Sequence, residues 1–333
     1  MARKDYYMSI SKIAKLAGVS TATVSKILNG KDQAISEKTR QKVLKIVESE
    51  GYIPNAIAKS LKIKNTKTIG LIVPDVMNLF FSELARGVED SADRLGYSVI
   101  LCNTDNNSDK EKKYLQVLQS KRVDGIIISA VESNKNICFS NCITPIVLMD
   151  RDIETDKPVG RIKVDNIGCT YDATTHLLSK GCTNIGFISS DTTNVLSRDR
   201  LKGYIKALED NNMPYIEAAV YLKDYSIETG YLGAKKLLDN NKIDGICCGN
   251  DLIAIGAIKA LKEKGIHVPK HVKVIGLDDI FISSYFDPPL TTIKQPIYGM
   301  GHEAVNLLID MIEKKETNLL RVLNHRLVER MST

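Results

Sequence analysis

Apolar and polar residues recur along this chain in two rhythms, and the change from one to the other marks its organisation. From Ser9 to Gly51 the apolar positions return at the three-to-four spacing of helices buried on one face. Ile10, Ile13, Ala14 and Ala17 form the first stripe, behind a Ser9 suited to cap the helix. Gly18 supplies the positive φ that a tight helix-to-helix turn needs. Val19 plugs the corner, and Ser20 caps a second helix from Thr21 to Leu28, with Val24 and Ile27 facing back onto the first. Ala14 is small enough to let the two helices cross closely. A third helix starts at the Ser36 cap, buries Val43, Ile46 and Val47, and stops at Gly51. Two short helices joined over such a turn predict a helix-turn-helix, whose second helix lies in the DNA major groove. Its outer face carries Thr21, Ala22, Ser25, Lys26 and Asn29, all short or basic, as reaching base edges and phosphates requires.

From Thr68 the rhythm changes to short apolar runs alternating with amphipathic stretches. IGLIV (69–73), YSVILC (97–102), GIIIS (125–129) and PIVLM (145–149) read as buried parallel strands, with helices over 79–95 and 109–120 between them. A second series follows in NIGFIS (184–189), AAVYL (218–222), GICC (245–248) and VKVIGL (272–277), with helices over 167–180, 197–211, 227–239 and 251–264. Two such series predict two doubly wound α/β lobes. VPDVMN stands where a Gly-rich dinucleotide fingerprint would follow the first strand, which disfavours such a site. Between the rhythms, NAIAKSL (55–61) makes barely two helical turns and KIKNTK (62–67) is polar and basic. A helix this short is marginal in water, so the segment reads as a hinge that orders only on a partner.

The stretches AGVSTATVSKILNG, SEKTRQKV, GYIPNAIAKSL and TIGLIVPD together resemble the lactose-repressor (LacI/GalR) family of bacterial transcription regulators, and the resemblance runs through nearly the whole chain. It implies a core shared with periplasmic sugar-binding proteins. The helix in PPLTTIKQPIYGMGHEAVNLLIDMI then crosses back onto the first lobe, and a last strand near Val322 to Val328 returns to the second. The expected division is a headpiece over 1–54, a hinge over 55–67 and a core over 68–333. Lobe one takes about 68–164 and 295–321, lobe two 165–294 and 322–333. The resemblance further implies that Thr21, Ala22 and Lys26 read the major groove, with Ser20, Thr23, Ser25 and Asn29 supporting them or touching phosphate. Tyr52, Asn55, Ala58, Lys59, Leu61 and Lys62 complete the DNA-contacting set, Leu61 wedging between central base pairs of the minor groove. Lys26 and Lys59 stand where the family commonly has Arg; without the bidentate fork, discrimination should be softer.

Charge sharpens this picture. Residues 1–67 hold 14 Lys and Arg against 5 Asp and Glu, whereas the remainder holds 32 against 35. All the positive excess sits in the first fifth, the footprint of a nucleic-acid-binding segment on a near-neutral ligand domain. Seven cysteines form no C-x-x-C pair and lie mostly in apolar runs, which fits a reduced cytoplasm better than a disulfide framework. No apolar run approaches the ~18 residues of a membrane span, and MARKDYYMSI has no signal-peptide core. The expectation is therefore a cytoplasmic protein without membrane contact.

Candidate chemistry gathers at the carboxyl ends of the strands, where open α/β sheets bind ligands. There the first lobe offers Asn78, Phe80, Asp105, Ser129, Asp150 and Arg151; the second offers Arg198, Arg200, Tyr225, Asn250 and Asp278. Carboxylates, guanidinia and amides take bidentate hydrogen bonds from vicinal hydroxyls, and aromatic rings stack on a sugar's C–H face. The resemblance singles out Asn78 and Phe80 in NLFF, Asp150, Arg200, Tyr225, Asn250, Asp278 and, in TTIKQP, Gln295. One of Asp278 and Asp279 is expected to hold its loop, and Asp251 to cap a helix. Arg151, Arg198 and Arg200 would tolerate a sugar acid. No Ser/His/Asp set is visible, and Pro269 interrupts the one i, i+4 histidine pair, His267 and His271. The sequence thus predicts a non-enzymatic regulator, read as a repressor of carbohydrate-related genes, with no cofactor and no metal. It binds a pseudo-palindromic double-stranded operator and a sugar or sugar-acid effector. A purine corepressor is the alternative, and a solute-binding protein without DNA activity a more distant one. With no heptad helix after the last strand, the expected assembly is a homodimer.

Overall fold

The computed structural model describes residues 9–52, 65–131, 139, 142–151, 153–193, 195–240 and 242–333, and the chain divides into two units, Met1–Thr66 and Lys67–Thr333. In the first unit α1 (Ile10–Ala17), α2 (Thr21–Leu28) and α3 (Glu37–Ser49) each begin on a serine. Ser9, Ser20 and Ser36 Oγ accept from the backbone N–H of Lys12, Thr23 and Thr39 at 3.3, 3.1 and 3.4 Å. Each bond satisfies a donor that the first helical turn would otherwise leave unpaired. Gly18 ends α1 at φ +69°. Ile13, Ala14, Ala17, Val24, Ile27 and Val43 are buried between the helices, with Ile46, Val47 and Tyr52 packed half-buried around them. Each buried Ile or Val contributes roughly 1.5–3 kcal/mol, so a core this small has no spare position.

The second unit contains two six-stranded sheets. The first comprises β1 (Thr68–Val73), β2 (Ser98–Asn103), β3 (Gly125–Ile128), β4 (Ile146–Met149), β5 (Gly160–Val164) and β11 (Leu320–Leu323). Its order is β11-β5-β4-β3-β1-β2, with every pair parallel. The second comprises β6 (Ile185–Ser190), β7 (Val220–Lys223), β8 (Gly245–Cys248), β9 (Lys273–Asp278), β10 (Thr291–Lys294) and β12 (Arg326–Val328). Its order is β12-β10-β9-β8-β6-β7, and only β12 runs antiparallel to its neighbour. The central strands β1, β3, β6, β8 and β9 are almost wholly buried and apolar, as strands covered on both faces must be.

The helices are α4 (Leu79–Arg94), α5 (Ser108–Ser120), α6 (Asn166–Ser179), α7 (Val195–Asp210), α8 (Ile227–Asn240), α9 (Asp251–Glu263) and α10 (Ile297–Ile312). α10 crosses α4 so closely that a Cβ at Gly87 would lie 2.3 Å from the Tyr298 carbonyl oxygen. A Cβ at Gly301 would lie 2.5 Å from that of Leu84. Glycine at those two crossings lets the backbones touch and seats α10 on the first sheet. The chain passes between the sheets three times, from β5 into α6, from β10 into α10 and from β11 into β12.

Three features depart from the sequence reading. GRIKV and TTIK form strands β5 and β10, too polar to stand out. The single last strand is in fact two, β11 in the first sheet and β12 in the second. The third passage therefore falls at Asn324–His325, where His325 Nε2 meets the Asp172 carboxylate at 2.9 Å.

Candidate functional site

On α2 the side chains of Thr21, Ala22 and Lys26 are exposed. Their neighbours are partly engaged. Ser20 Oγ caps the helix and lies 2.9 Å from Thr23 Oγ1, and Ser25 is half-buried. Asn29 Nδ2 donates to the Ser25 carbonyl at 2.6 Å, closing the end of α2 rather than projecting from it. Tyr52 packs half-buried against the headpiece core, its N–H donating to the Val47 carbonyl at 2.9 Å. Asn55, Ala58, Lys59, Leu61 and Lys62 lie outside the described residues.

In the core, a cavity opens between the two sheets at the carboxyl ends of their strands. From the first lobe Asn78, Phe80, Phe81, Asp150 and Arg151 line it; from the second come Leu196, Arg200, Tyr225, Asn250 and Asp278. Asn78 and Asn250 are N-caps, their side chains accepting from Phe80 and Ile253 N–H at 3.1 and 2.9 Å. Asp150 follows β4 and Asp278 ends β9, at φ +63° and +129°, left-handed backbone that non-glycine residues rarely adopt.

Arg200 is the fixed point of the cavity. It is 3% exposed, and its Nε donates to Asn166 Oδ1 at 2.9 Å and its Nη1 to the Gly249 carbonyl at 2.5 Å. Its Nη2 stands 3.9 Å from Asp278 Oδ1, and its guanidinium lies 5.3 Å from the centre of the Tyr225 ring. Tyr225 OH is in turn 3.0 Å from Ser197 Oγ. Across the cavity Arg151 donates to Asn106 Oδ1 at 3.3 Å, lies 4.0 Å from Asp150 and covers the Phe81 ring at 5.5 Å. Burial pushes the Asp278 carboxyl well above the ordinary carboxylate range, while the Arg200 charge pulls it part of the way back. Two carboxyl groups thus face two guanidinia across the lining.

Four expected contacts lie elsewhere. Gln295 is buried behind Asp278, its Nε2 donating to Oδ1 at 2.7 Å, so it orients the carboxylate without lining the cavity. Ser129 is fully buried at the end of β3, with no partner for Oγ among the described residues. Asp105, beyond the edge strand β2, bonds Lys110 and Asn103 instead. Arg198 points back to the Thr192 and Thr193 carbonyls at 3.3 and 3.4 Å. Of the paired aspartates, Asp279 holds its loop through Arg330 at 2.6 Å and Lys294 at 3.1 Å, leaving Asp278 to the cavity. The α9 cap is Asn250, not Asp251, whose carboxylate is buried and turned to the following loop. Phe81, Leu196 and the supporting Asn166 and Asn106 escaped the sequence reading; Phe81, next to Phe80 in the apolar pair of NLFF, was the one with a visible signal.

Residues 9–55 match the model of the bacterial regulatory proteins of the lacI family, and residues 174–333 a periplasmic binding protein-like domain. The HTH-type transcriptional regulator RegA of Clostridium saccharobutylicum is 40% identical over 331 residues, covering 98% of this chain and 99% of the relative. The chain belongs to the LacI family of bacterial transcription regulators. This LacI-family chain is also 37% identical to the transcriptional repressor PurR of Actinobacillus pleuropneumoniae, over 93% of its length and 92% of the relative's. Its structure superposes on that of the Lac repressor dimer bound to operator and the anti-inducer ONPF, with a TM-score of 0.86. There the identity is 27%, and 98% of this chain and 99% of the other are covered. The CelR–cellobiose complex matches with a TM-score of 0.74 and 28% identity over 98% of this chain and all of that one. The family member thus pairs a helix-turn-helix headpiece with a bilobed sensor core. Among the described residues no helix is long and apolar enough to cross a membrane, and no group of three or more His, Cys, Asp or Glu is placed to hold a metal ion.

Proposed function

We propose that the chain is a homodimeric repressor of carbohydrate-related genes, whose hold on a pseudo-palindromic operator is set by a small neutral sugar in the cavity. The observation that carries this reading is the cavity lining: carboxylates, guanidinia and amides from both lobes around aromatic rings. Such a set accepts from and donates to vicinal hydroxyls while Phe80 and Tyr225 offer ring faces. Arg198, one of three cations an anion would use, points away from the cavity, which favours a neutral polyol over a sugar acid. Related regulators have been solved with D-xylulofuranose and with ribose, at 33% and 32% identity over 80% of this chain.

Because the lining comes from both lobes, a ligand that bridges them favours one lobe arrangement over another. It thereby shifts DNA affinity by its differential affinity for the two. Thr21, Ala22 and Lys26 would read the half-site, Lys26 as a single point charge.

A thermal-shift panel on the full chain tests the effector reading, with D-ribose, D-xylulose, cellobiose, a sugar acid, a sugar phosphate and guanine as probes. One neutral monosaccharide should raise Tm, as expected of a ligand contributing about 2.7 kcal/mol at a hundred times its Kd. Asp278→Asn should abolish that shift. A response to guanine alone would favour a purine corepressor, and an undiminished response in Asp278→Asn would place the ligand elsewhere.

A further inference from the structure

One carboxylate next to the cavity takes no part in lining it. Asp251 follows Asn250, is fully buried, and lies at the start of α9. Its Oδ2 accepts from Ile280 N–H at 3.0 Å and Ser283 Oγ at 2.6 Å, and its Oδ1 from Thr292 Oγ1 at 2.6 Å. The sequence makes room for it. A Cβ at Gly276 on β9 would lie 2.1 Å from Oδ1, so only glycine leaves the carboxylate its seat. Burial pushes the carboxyl up, and the three donors offset part of that cost.

What these bonds hold is the turn that follows Asp278. Its outer side presents Phe281, Ile282 and Tyr285 at 73, 41 and 74% exposure, the two rings 5.1 Å apart. Three large apolar side chains displayed on a turn of a few residues mark an association surface, and the Lac repressor structure this chain matches is a dimer. A second copy of the chain is the occupant consistent with the homodimer proposed above.

We propose that Asp251 is a positioning residue that ties this turn to the cavity wall, so that seating of a second copy and occupancy of the cavity shift one another. The turn leaves the wall at Asp278, a lining residue, and Asp251 ties it back beside Asn250, another lining residue. A change in the spacing of Asn250 and Asp278 must then move the turn or break a buried hydrogen bond, which is costly. Reciprocity follows from linkage.

The chain holds no tryptophan, so Tyr225→Trp places a sole reporter in the cavity. Its emission is compared between the dimer and the monomer produced by adding Ile282→Asp, with oligomeric state checked by sedimentation. The proposal expects Ile282→Asp to yield a monomer with shifted emission. Asp251→Asn should leave the dimer formed and move its emission towards the monomer's value, at least halving the difference. Ser283→Ala and Thr292→Val, which keep the carboxylate and remove one donor each, should do so in part even if Asp251→Asn fails to fold. A dimer that survives Ile282→Asp would overturn the choice of surface and with it the proposal. A dimer lost on Ile282→Asp with unchanged emission, or a difference left whole by all three clamp variants, would overturn the coupling alone and leave the dimer reading standing.

Discussion

Single side chains in this protein are set by what surrounds them more than by their type. Arg198 and Arg200 lie two positions apart on α7, and at 3.6 residues per turn they point to opposite sides. One anchors the cavity while the other returns to its own loop. That divergence was available in the sequence once the helix was assigned, whereas the placement of Gln295 behind Asp278 depends on packing no local pattern encodes. His176 shows the same dependence. Its Nε2 lies 2.9 Å from Thr333 Oγ1, and burial lowers its pKa below the ordinary 6.5. A lowered folded-state value favours the neutral ring, so this contribution is fully present above pH 6.5 and is lost as pH falls through the folded-state pKa. Buried Asp278 acts with the opposite sign, because its raised carboxyl takes up a proton more readily when folded. The Tm of the native chain relative to His176→Gln should therefore decline between pH 7.5 and pH 5. A constant difference between the two would remove His176 from the acid response.

At the level of elements, the helices and the apolar strands were legible, and the half-polar strands β5 and β10 were not. Ser9, Ser20 and Ser36 announce the three headpiece helices because a cap is a local bond, made by the residue that signals it. β5 and β10 escape notice because four or five half-polar residues gain their identity from the neighbouring strands. Gly18 is the element-level position with the sharpest consequence. A Cβ there would meet only Lys42 Nζ at 3.8 Å, so space is no obstacle, but φ is +69°. Gly18→Ala should cost the headpiece about 1–2 kcal/mol from the left-handed backbone alone. Thermal unfolding of the full chain, followed by the fluorescence of a dye attached to a cysteine introduced at the exposed Lys45 of the headpiece, would check it; an unchanged transition would mean that the turn can be made another way.

For the molecule as a whole, the account rests on a division of labour that the charge distribution already expresses. The first 67 residues hold 14 cationic against 5 anionic side chains, and the remainder 32 against 35. The cavity has an Asp and an Arg from each lobe, and in the first part α2 presents Lys26 while α3 carries Lys38, Arg40, Lys42 and Lys45. The lining was readable because strand ends in an open α/β sheet are where ligands bind, whatever the ligand. Which arginine faces inward was not readable, since that depends on packing around α7. The most direct test of the central claim is selection of duplexes by the full chain from a random-sequence library, followed by anisotropy titrations from 50 to 200 mM salt. The enriched duplex should have two-fold symmetry and bind at least ~1,000-fold more tightly than random sequence, with affinity falling steeply as salt rises. A library that yields no symmetric site, bound no better than random DNA at any salt concentration, would contradict the account.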